Sequence, residues 1–394
     1  MESIGDLLGD QGGVAAGAVV YDEVHLDLAL YGFVHDLNSI LDHLWIQPEL
    51  DIFLQRCRII SKIYLFIASG TEPNPMATFK NEFSWSKSRD ETFKTCPRQY
   101  WFAYYGFWNG WLKDAPERTR EIYVLKNLKN RQAWAGEKIH DCIHRSINNI
   151  RRGIKVLPVD EIISITLNQM RNEFRSSRAK NYWKKPKSCA LFEHEYGIEV
   201  TAPQWKEMAQ NVETCLRNFY ASDIYGGLKS HGKEGWLEVE EFSSFNLDSI
   251  KINVVIDCAV KEGNSIIIYD WKTGKALSED LSVQLCCYAF YAMEKWHLPP
   301  DSLQVVEYNL FSNKANSFTV TMAEVEGIKG YIKGSVKDMQ SLLKDPENNI
   351  PLEEGQFSKV EDERVSLRCN FRKVCRIERG DSHEESSDNL SVLP

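Results

Sequence analysis

The side chains best suited to chemistry lie in residues 252–274. Ile252-Asn-Val-Val-Ile-Asp257-Cys-Ala-Val260 leads through a tight Glu262-Gly263-Asn264 turn to Ile266-Ile-Ile-Tyr-Asp270-Trp-Lys272-Thr-Gly274. The pattern predicts two strands joined by a short hairpin. Side chains at i and i+2 of a strand share a face, so Asp270 and Lys272 point together and Asp257 on the neighbouring strand can join them. Two carboxylates and an ammonium at the rim of a β-ribbon are costly unless a metal or a substrate uses them. They suit a divalent cation held by two carboxylates, with a lysine beside it to handle a water molecule.

The elements that must position these groups follow from periodicity. Residues 1–20 are Gly-rich, and 21–70 place apolar residues such as Leu37, Ile40, Leu41 and Leu44 at helical spacing. Gly70 to Pro75 reads as a linker, so the spacing predicts a partly mobile helical extension over 1–77. A main domain over 78–379 opens with one helix, capped by Ser86 or Ser88 and running through Phe93, Cys96, Tyr100 and Tyr104. Further helices are expected over 120–150, 159–182 and 203–222. Strands are expected at Trp236–Phe245, Ile250–Val260, Ser265–Trp271, Gln304–Phe311 and Ser317–Met322. Helices are expected again at Ser282–Lys295 and Ala323–Leu343. Helices flanking a mixed sheet make the class α/β. The tail over 380–394 is Ser- and acid-rich and is expected to be disordered.

At 394 residues, 43% hydrophobic and 26% charged, the chain has an ordinary globular composition and can bury a sizeable core. The formal charge of −9 does not advertise a nucleic-acid binder, yet binding needs only a local basic surface. Arg171, Arg175, Arg178, Lys180, Lys184, Lys185 and Lys187 form one candidate, with Phe174, Tyr182 and Trp183 interleaved for base stacking. A solvated helix face followed by a Lys-rich loop is the competing reading. There is no positive n-region, and the small-residue run Gly12–Val20 is too short to span a bilayer, so a cytoplasmic chain with no membrane partner is expected. The ten cysteines are then thiols or metal ligands before they are disulfides.

Gly136-x-x-x-His140, Asp257, Asp270-Trp-Lys272 and Gln284-x-x-x-Tyr288 follow one another in this order. Together they resemble the motifs of the PD-(D/E)xK nuclease superfamily, in particular its RecB-like branch. Phe83 to Gly106, with Cys96-Pro-Arg-Gln-Tyr100, resembles the start of bacterial members of that branch. The resemblance covers roughly residues 80–378 and implies a restriction-endonuclease-like mixed sheet flanked by helices.

Phosphodiester hydrolysis needs charge neutralised on a phosphate and a more nucleophilic water. Asp257, Asp270 and the Trp271 backbone carbonyl would hold Mg²⁺ or Mn²⁺, and an imidazole from His140 would favour Mn²⁺. Lys272 would orient or deprotonate the attacking water, its pKa lowered by the metal's charge. Gln284 and Tyr288, on one helix face, would hold the backbone or the lysine. His140-Asp-Cys-Ile-His144 lacks the Glu that a zinc-binding helix carries after its first His, so His144 reads as structural or surface. Thr273-Gly274-Lys275 is no P-loop, because Tyr269 stands where the first Gly belongs.

The same resemblance implies a [4Fe–4S] site. Cys96 would supply one ligand and Cys369 and Cys375 two more, but Ser366 occupies the fourth place. Serine is a poor ligand for such a cluster, so the layout suits a degenerate site packed as thiols that still clasps the C-terminal segment beside Cys96. A zinc site and a weakened cluster are the alternatives. The resulting expectation is a Mg²⁺- or Mn²⁺-dependent DNA nuclease of DNA repair, recombination or anti-phage defence. The alternative is a DNA-binding or assembly subunit that docks a protein partner through residues 1–77. RNA as substrate stays open, since the metal acts on the phosphate and not on the sugar.

Overall fold

The computed structural model describes residues 80–275 and 280–376. The extension expected over 1–77 and the tail expected over 380–394 lie outside these residues. The described chain begins with helices α1 (Lys87–Thr95) and α2 (Pro97–Trp101) and a π-helical turn at Phe102–Gly106. The spacing predicts one helix through this stretch, and Pro97 divides it. A proline has no N–H for the helical ladder and is best placed at a helix start. Ser86 caps α1 by accepting from the Arg89 amide, and the Cys96 sulfur caps α2 by accepting from the Gln99 amide. The stretch expected over 120–150 is also two helices, α3 (Glu117–Lys126) and α4 (Arg131–Arg151), with Asn130 capping the second. Helices α5 (Val159–Arg178), α6 (Ala202–Ala221) and α7 (Asp223–Ser230) complete this half.

Strands β1 (Trp236–Glu238), β2 (Phe242–Leu247), β3 (Ile250–Val255), β4 (Cys258–Glu262) and β5 (Ser265–Lys272) follow. Helix α8 (Val283–Trp296) then leads to β6 (Leu303–Asn309), β7 (Lys314–Thr319), α9 (Met322–Gln340) and, near the C-terminus, α10 (Arg372–Arg376). The main sheet has the order β1-β4-β5-β6-β7, with β5 and β6 parallel and the other pairs antiparallel. Each face carries helices. Ala259, Ile266, Ile268 and Val305 pack into one core with α8 and α9, while Cys258, Val260, Ile267, Tyr269 and Trp271 pack into a second with α4, α5 and α6. A strand covered on both faces reads as a continuous apolar run, as β5 does. The class is α/β.

Two strands expected to be continuous are broken. The stretches 236–245 and 250–260 each divide, at Glu240 and at Ile256–Asp257, and β2 and β3 leave the main sheet as a separate ribbon. Glu240 takes a left-handed backbone (φ 46°), and its amide donates to the Ile256 carbonyl at 2.8 Å. In one unbroken strand all even-numbered residues share a face. Here Ile252, Val254 and Ile256 enter the first core, and Cys258 and Val260 enter the second. Asp257 sits at that reversal rather than within a strand.

Candidate active site and metal centre

At the end of β5, Asp270 shares the face of Ile266 and Ile268 and is 2% exposed. The Lys272 ammonium lies 2.7 Å from Asp270 Oδ2, a close charge contact rather than an aligned hydrogen bond. Lys272 Nζ donates to Gln284 Oε1 at 2.9 Å, and Gln284 Nε2 donates to the Tyr288 hydroxyl at 2.7 Å. Ser282 caps α8 and so fixes Gln284 in its first turn; Tyr288, one turn on, is buried in the core. The i, i+4 pair therefore forms a relay that ends on the lysine.

Asp257 meets this relay from the broken strand. The ladder pairs Cys258 with Tyr269, which would carry Ile256 opposite Trp271 one step further. The Ile256 carbonyl is taken by Glu240, and the Trp271 amide instead donates to Asp257 Oδ2 at 2.6 Å. One carboxylate oxygen thus replaces a ladder carbonyl and leaves the other, Oδ1, directed at His140, whose Nδ1 is 3.3 Å away. Glu240 Oε1 lies 3.6 Å from the same nitrogen. Potential ligand atoms of His140, Glu240 and Asp257 all fall within 4.8 Å of one another. Gly136 lies one turn before His140 on α4 and faces the end of β5. A Cβ there would stand 3.1 Å from Thr273 Oγ1, one residue beyond Lys272.

The electrostatics show crowded negative charge. Burial and the neighbouring Asp257 push the Asp270 carboxyl up to about 6, against the opposing pull of Lys272 and His140. For His140, burial pulls the imidazole down, but Asp257 and Glu240 outweigh it and carry it up to about 10. Glu240 Oε1 is buried with no hydrogen-bond partner, and Asp270 Oδ2 is met by the Lys272 ammonium alone. Such oxygens are expensive to keep dry unless a cation meets them. Carboxylates with one imidazole are a donor set that Mn²⁺ accepts well and Mg²⁺ accepts through its oxygens.

Of the ligand set expected from sequence, His140 and Asp257 stand together, and Glu240, which that reading missed, joins them. Asp270 is engaged by Lys272 and stands outside the compact group. The contact seen for Trp271 is its amide on Asp257. Glu240 had one legible signal, its place in the acidic interruption Glu238-Val-Glu240-Glu241 of a strand pattern. His144, read as structural or surface, hydrogen-bonds Asn148 at 2.9 Å and brings Nδ1 to 3.9 Å from Glu240 Oε2.

Arg171, Arg175 and Arg178 are exposed on α5, and Lys180, Lys184, Lys185 and Lys187 are exposed on the following turns. The aromatic part of that reading is corrected. Tyr182 is fully buried with its hydroxyl on Glu195, the Trp183 indole N–H also donates to Glu195, and Phe174 packs edge-on against His194 and Trp205. Tyr182 therefore presents no face to a base, and Phe174 and Trp183 are partly buried against the fold.

The Cys96 sulfur accepts from the Gln99 amide and lies 3.9 Å from the Ser358 carbonyl, and Cys369 accepts from the Phe371 amide. Burial, with smaller help from Cys96 and Cys375, pushes the Cys369 thiol up to about 12, so it stays protonated. Among the described residues the His/Cys/Asp/Glu group close enough to hold an ion is the one at His140, and the three cysteines form no second one. With Ser366 in the fourth place they do not fit an iron–sulfur cluster. Packing holds the segment instead: Phe371 stacks on Phe102 at 5.2 Å, and Arg98 donates to the Phe357 carbonyl.

Comparison with known proteins agrees with this architecture. A sequence model of the family described as the PD-(D/E)XK nuclease superfamily matches residues 84–376, which span the sheet, both helical layers and every residue of the site. No curated protein is similar enough to count as a match. Among the described residues no helix is long and apolar enough to cross a membrane.

Proposed function

Because this chain belongs to the PD-(D/E)XK nuclease superfamily, we propose that it is a metal-dependent nuclease of the RecB-like type that hydrolyses phosphodiester bonds in DNA. One observation carries this reading. A buried acidic group, in which Glu240 Oε1 has no hydrogen-bond partner, sits beside a lysine that a Gln–Tyr relay holds in place. Mg²⁺ or Mn²⁺ held by His140, Glu240 and Asp257, with Asp270 and the Trp271 carbonyl as further oxygen donors, would supply positive charge against the scissile phosphate and acidify water.

The rest falls to the protein's own groups. Asp257 ties the start of β4 to the end of β5, so one side chain sets both the strand junction and the acidic group. The Lys272 ammonium has three N–H bonds. Gln284 takes one and Asp270 faces another, which leaves one for the attacking water or a phosphate oxygen. Tyr288 and Gln284 limit the rotamers of the lysine, and held geometry is worth far more than mere proximity. Cleavage by such a centre suits DNA repair, recombination or anti-phage defence.

The test uses end-labelled single- and double-stranded DNA, linear and circular, with RNA in parallel, incubated with Mn²⁺. The parent protein is expected to cleave DNA, and Asp257→Ala, Asp270→Ala and Lys272→Ala to be inactive yet folded by circular dichroism. Variants that cleave like the parent would refute the site. Loss of circular DNA identifies an endonuclease, and its survival a requirement for a free end.

A further inference from the structure

A second constellation lies away from the acidic centre and has the opposite character. Residues 107–112 form a chain of tight turns between the π-helical turn and α3. Gly110 is required there, since a Cβ would stand 2.5 Å from Tyr123 Cβ and 2.6 Å from the Thr119 carbonyl. This approach lays the loop's rings against α3. Phe107 stacks on Tyr123 (6.4 Å, 15°), and Trp111 packs edge-on against Trp108 at 5.1 Å and Tyr123 at 6.0 Å. The outer ring, Trp111, is 37% exposed.

Three cations crowd the same rings. Lys126 Nζ lies 3.3 Å from the Phe107 centroid, Lys187 Nζ lies 5.8 Å from that of Tyr123, and the Arg89 guanidinium stands over Tyr104 at 4.5 Å. Arg89 is 4% exposed and donates only to neutral oxygens, those of Tyr100, Tyr105 and Ser84. None of the three makes an ion pair among the described residues. Burial, then Arg89 and Lys187, push the Lys126 ammonium down to about 8. A cleft of about 280 Å³ runs from Lys187 past Lys129 to Trp134 and Lys138 on the first turns of α4, and Glu137 and Glu173, which pair with Lys129 and Lys138, line it as well. Gly136 in those turns abuts Thr273, next to Lys272.

We propose that this platform docks a single-stranded nucleic acid, with an unpaired base on Trp111 and phosphates on Lys126 and Lys187. The inference rests on the nuclease reading and adds its substrate class. Exposed rings beside uncompensated ammonium groups are the two components of single-strand recognition, stacking and backbone neutralisation. A duplex keeps its base faces covered and gains only the electrostatic part.

The experiment measures binding by the full chain in EDTA, where cleavage is absent. Fluorescein-labelled oligo(dT) is compared with a closed hairpin duplex by anisotropy, together with intrinsic tryptophan fluorescence. Trp111→Ala is expected to weaken oligo(dT) binding about 10-fold and to reduce the quenching, with Trp111→Phe restoring most of the affinity. Lys126→Gln and the exposed Lys187→Gln are each expected to lower the log–log salt slope by about 0.7. Hairpin binding should not respond to Trp111→Ala. If the parent binds oligo(dT) and cleaves DNA but these variants keep its affinity and salt slope, the platform is wrong and the nuclease reading stands. If the parent neither binds nor cleaves any nucleic acid, both fall.

Discussion

The acidic centre and the aromatic platform carry opposite imbalances of charge. At the centre, Asp257, Glu240 and Asp270 outnumber the cations beside them, and Asp270 is pushed up to about 6. At the platform, Arg89, Lys126 and Lys187 have no carboxylate, and Lys126 is pushed down to about 8. Both groups are driven toward their neutral forms. A fold optimised for stability alone would have paired them or made them apolar. On the proposed function each imbalance is met by what binds there, a cation at one place and a phosphate chain at the other.

The largest expected effect comes from dismantling the acidic side. Asp257→Ala and Asp270→Ala should each lower Mn²⁺-dependent cleavage by about 10³-fold or more, measured as single-turnover rates on labelled DNA. Glu240→Gln sharpens the comparison, because it removes charge while keeping shape. It should weaken Mn²⁺ binding in calorimetry, whereas Lys126→Gln should leave it unchanged. Equal Mn²⁺ affinity in parent and Glu240→Gln would remove Glu240 from the metal group.

The relay should cost less. Lys272→Gln is expected to lower kcat by about 10²-fold and Gln284→Ala by about 10-fold, with KM for DNA little changed in both. A rise in KM without a fall in kcat would make Lys272 a binding group only.

Much of the centre is legible in the sequence because it rests on local rules. Asp270-x-Lys272 follows from strand alternation and Gln284-x-x-x-Tyr288 from helical spacing. Glu240 shows only as part of an acidic interruption, because its role depends on a break in which two strands leave the sheet together. The switch of Ile256 and Cys258 between cores is a tertiary event that no period of two can announce. Pro97 did mark the division between α1 and α2, and weighing it against the apolar spacing would have placed that boundary. The aromatics show the same limit. Phe174, Tyr182 and Trp183 look like a stacking surface by composition, yet Tyr182 is buried and the other two are partly buried, while Trp111 is turned out by a loop whose geometry Gly110 permits. Composition proposes which rings could stack, and only burial decides which of them can.

A third prediction uses the stability of the metal-free protein. The folded pKa of Asp270 lies above its ordinary value of 3.8, so its contribution is fully present below pH 3.8 and is lost as pH rises through about 6. At pH 7 the ionised, buried carboxylate therefore opposes folding. Asp270→Asn should stabilise the metal-free chain by about 1–3 kcal/mol, seen as a Tm rise of several degrees that vanishes below pH 4. The same variant should be inactive. Destabilisation at pH 7 would mean that Lys272 compensates Asp270 fully, and the argument for a missing cation would lose its best support.

The smallest effect tests the platform from its own side. Lys126 is surrounded by Arg89, Lys187 and the rings of Phe107 and Tyr104, with no acid to hold its proton. With a pKa near 8 it loses charge between pH 7 and 9, while phosphates on the platform would favour the charged form. Oligo(dT) binding in EDTA should therefore weaken by about 2- to 5-fold across that interval, roughly the share of one phosphate contact. Lys126→Arg keeps its charge throughout and should flatten the profile, and Lys126→Gln should flatten it at the lower level. A profile that stays steep in both variants would assign the titration to another group. It would also leave the Lys126 ammonium as a cation–π strut for Phe107, with the anion-binding role passing to Lys187 alone.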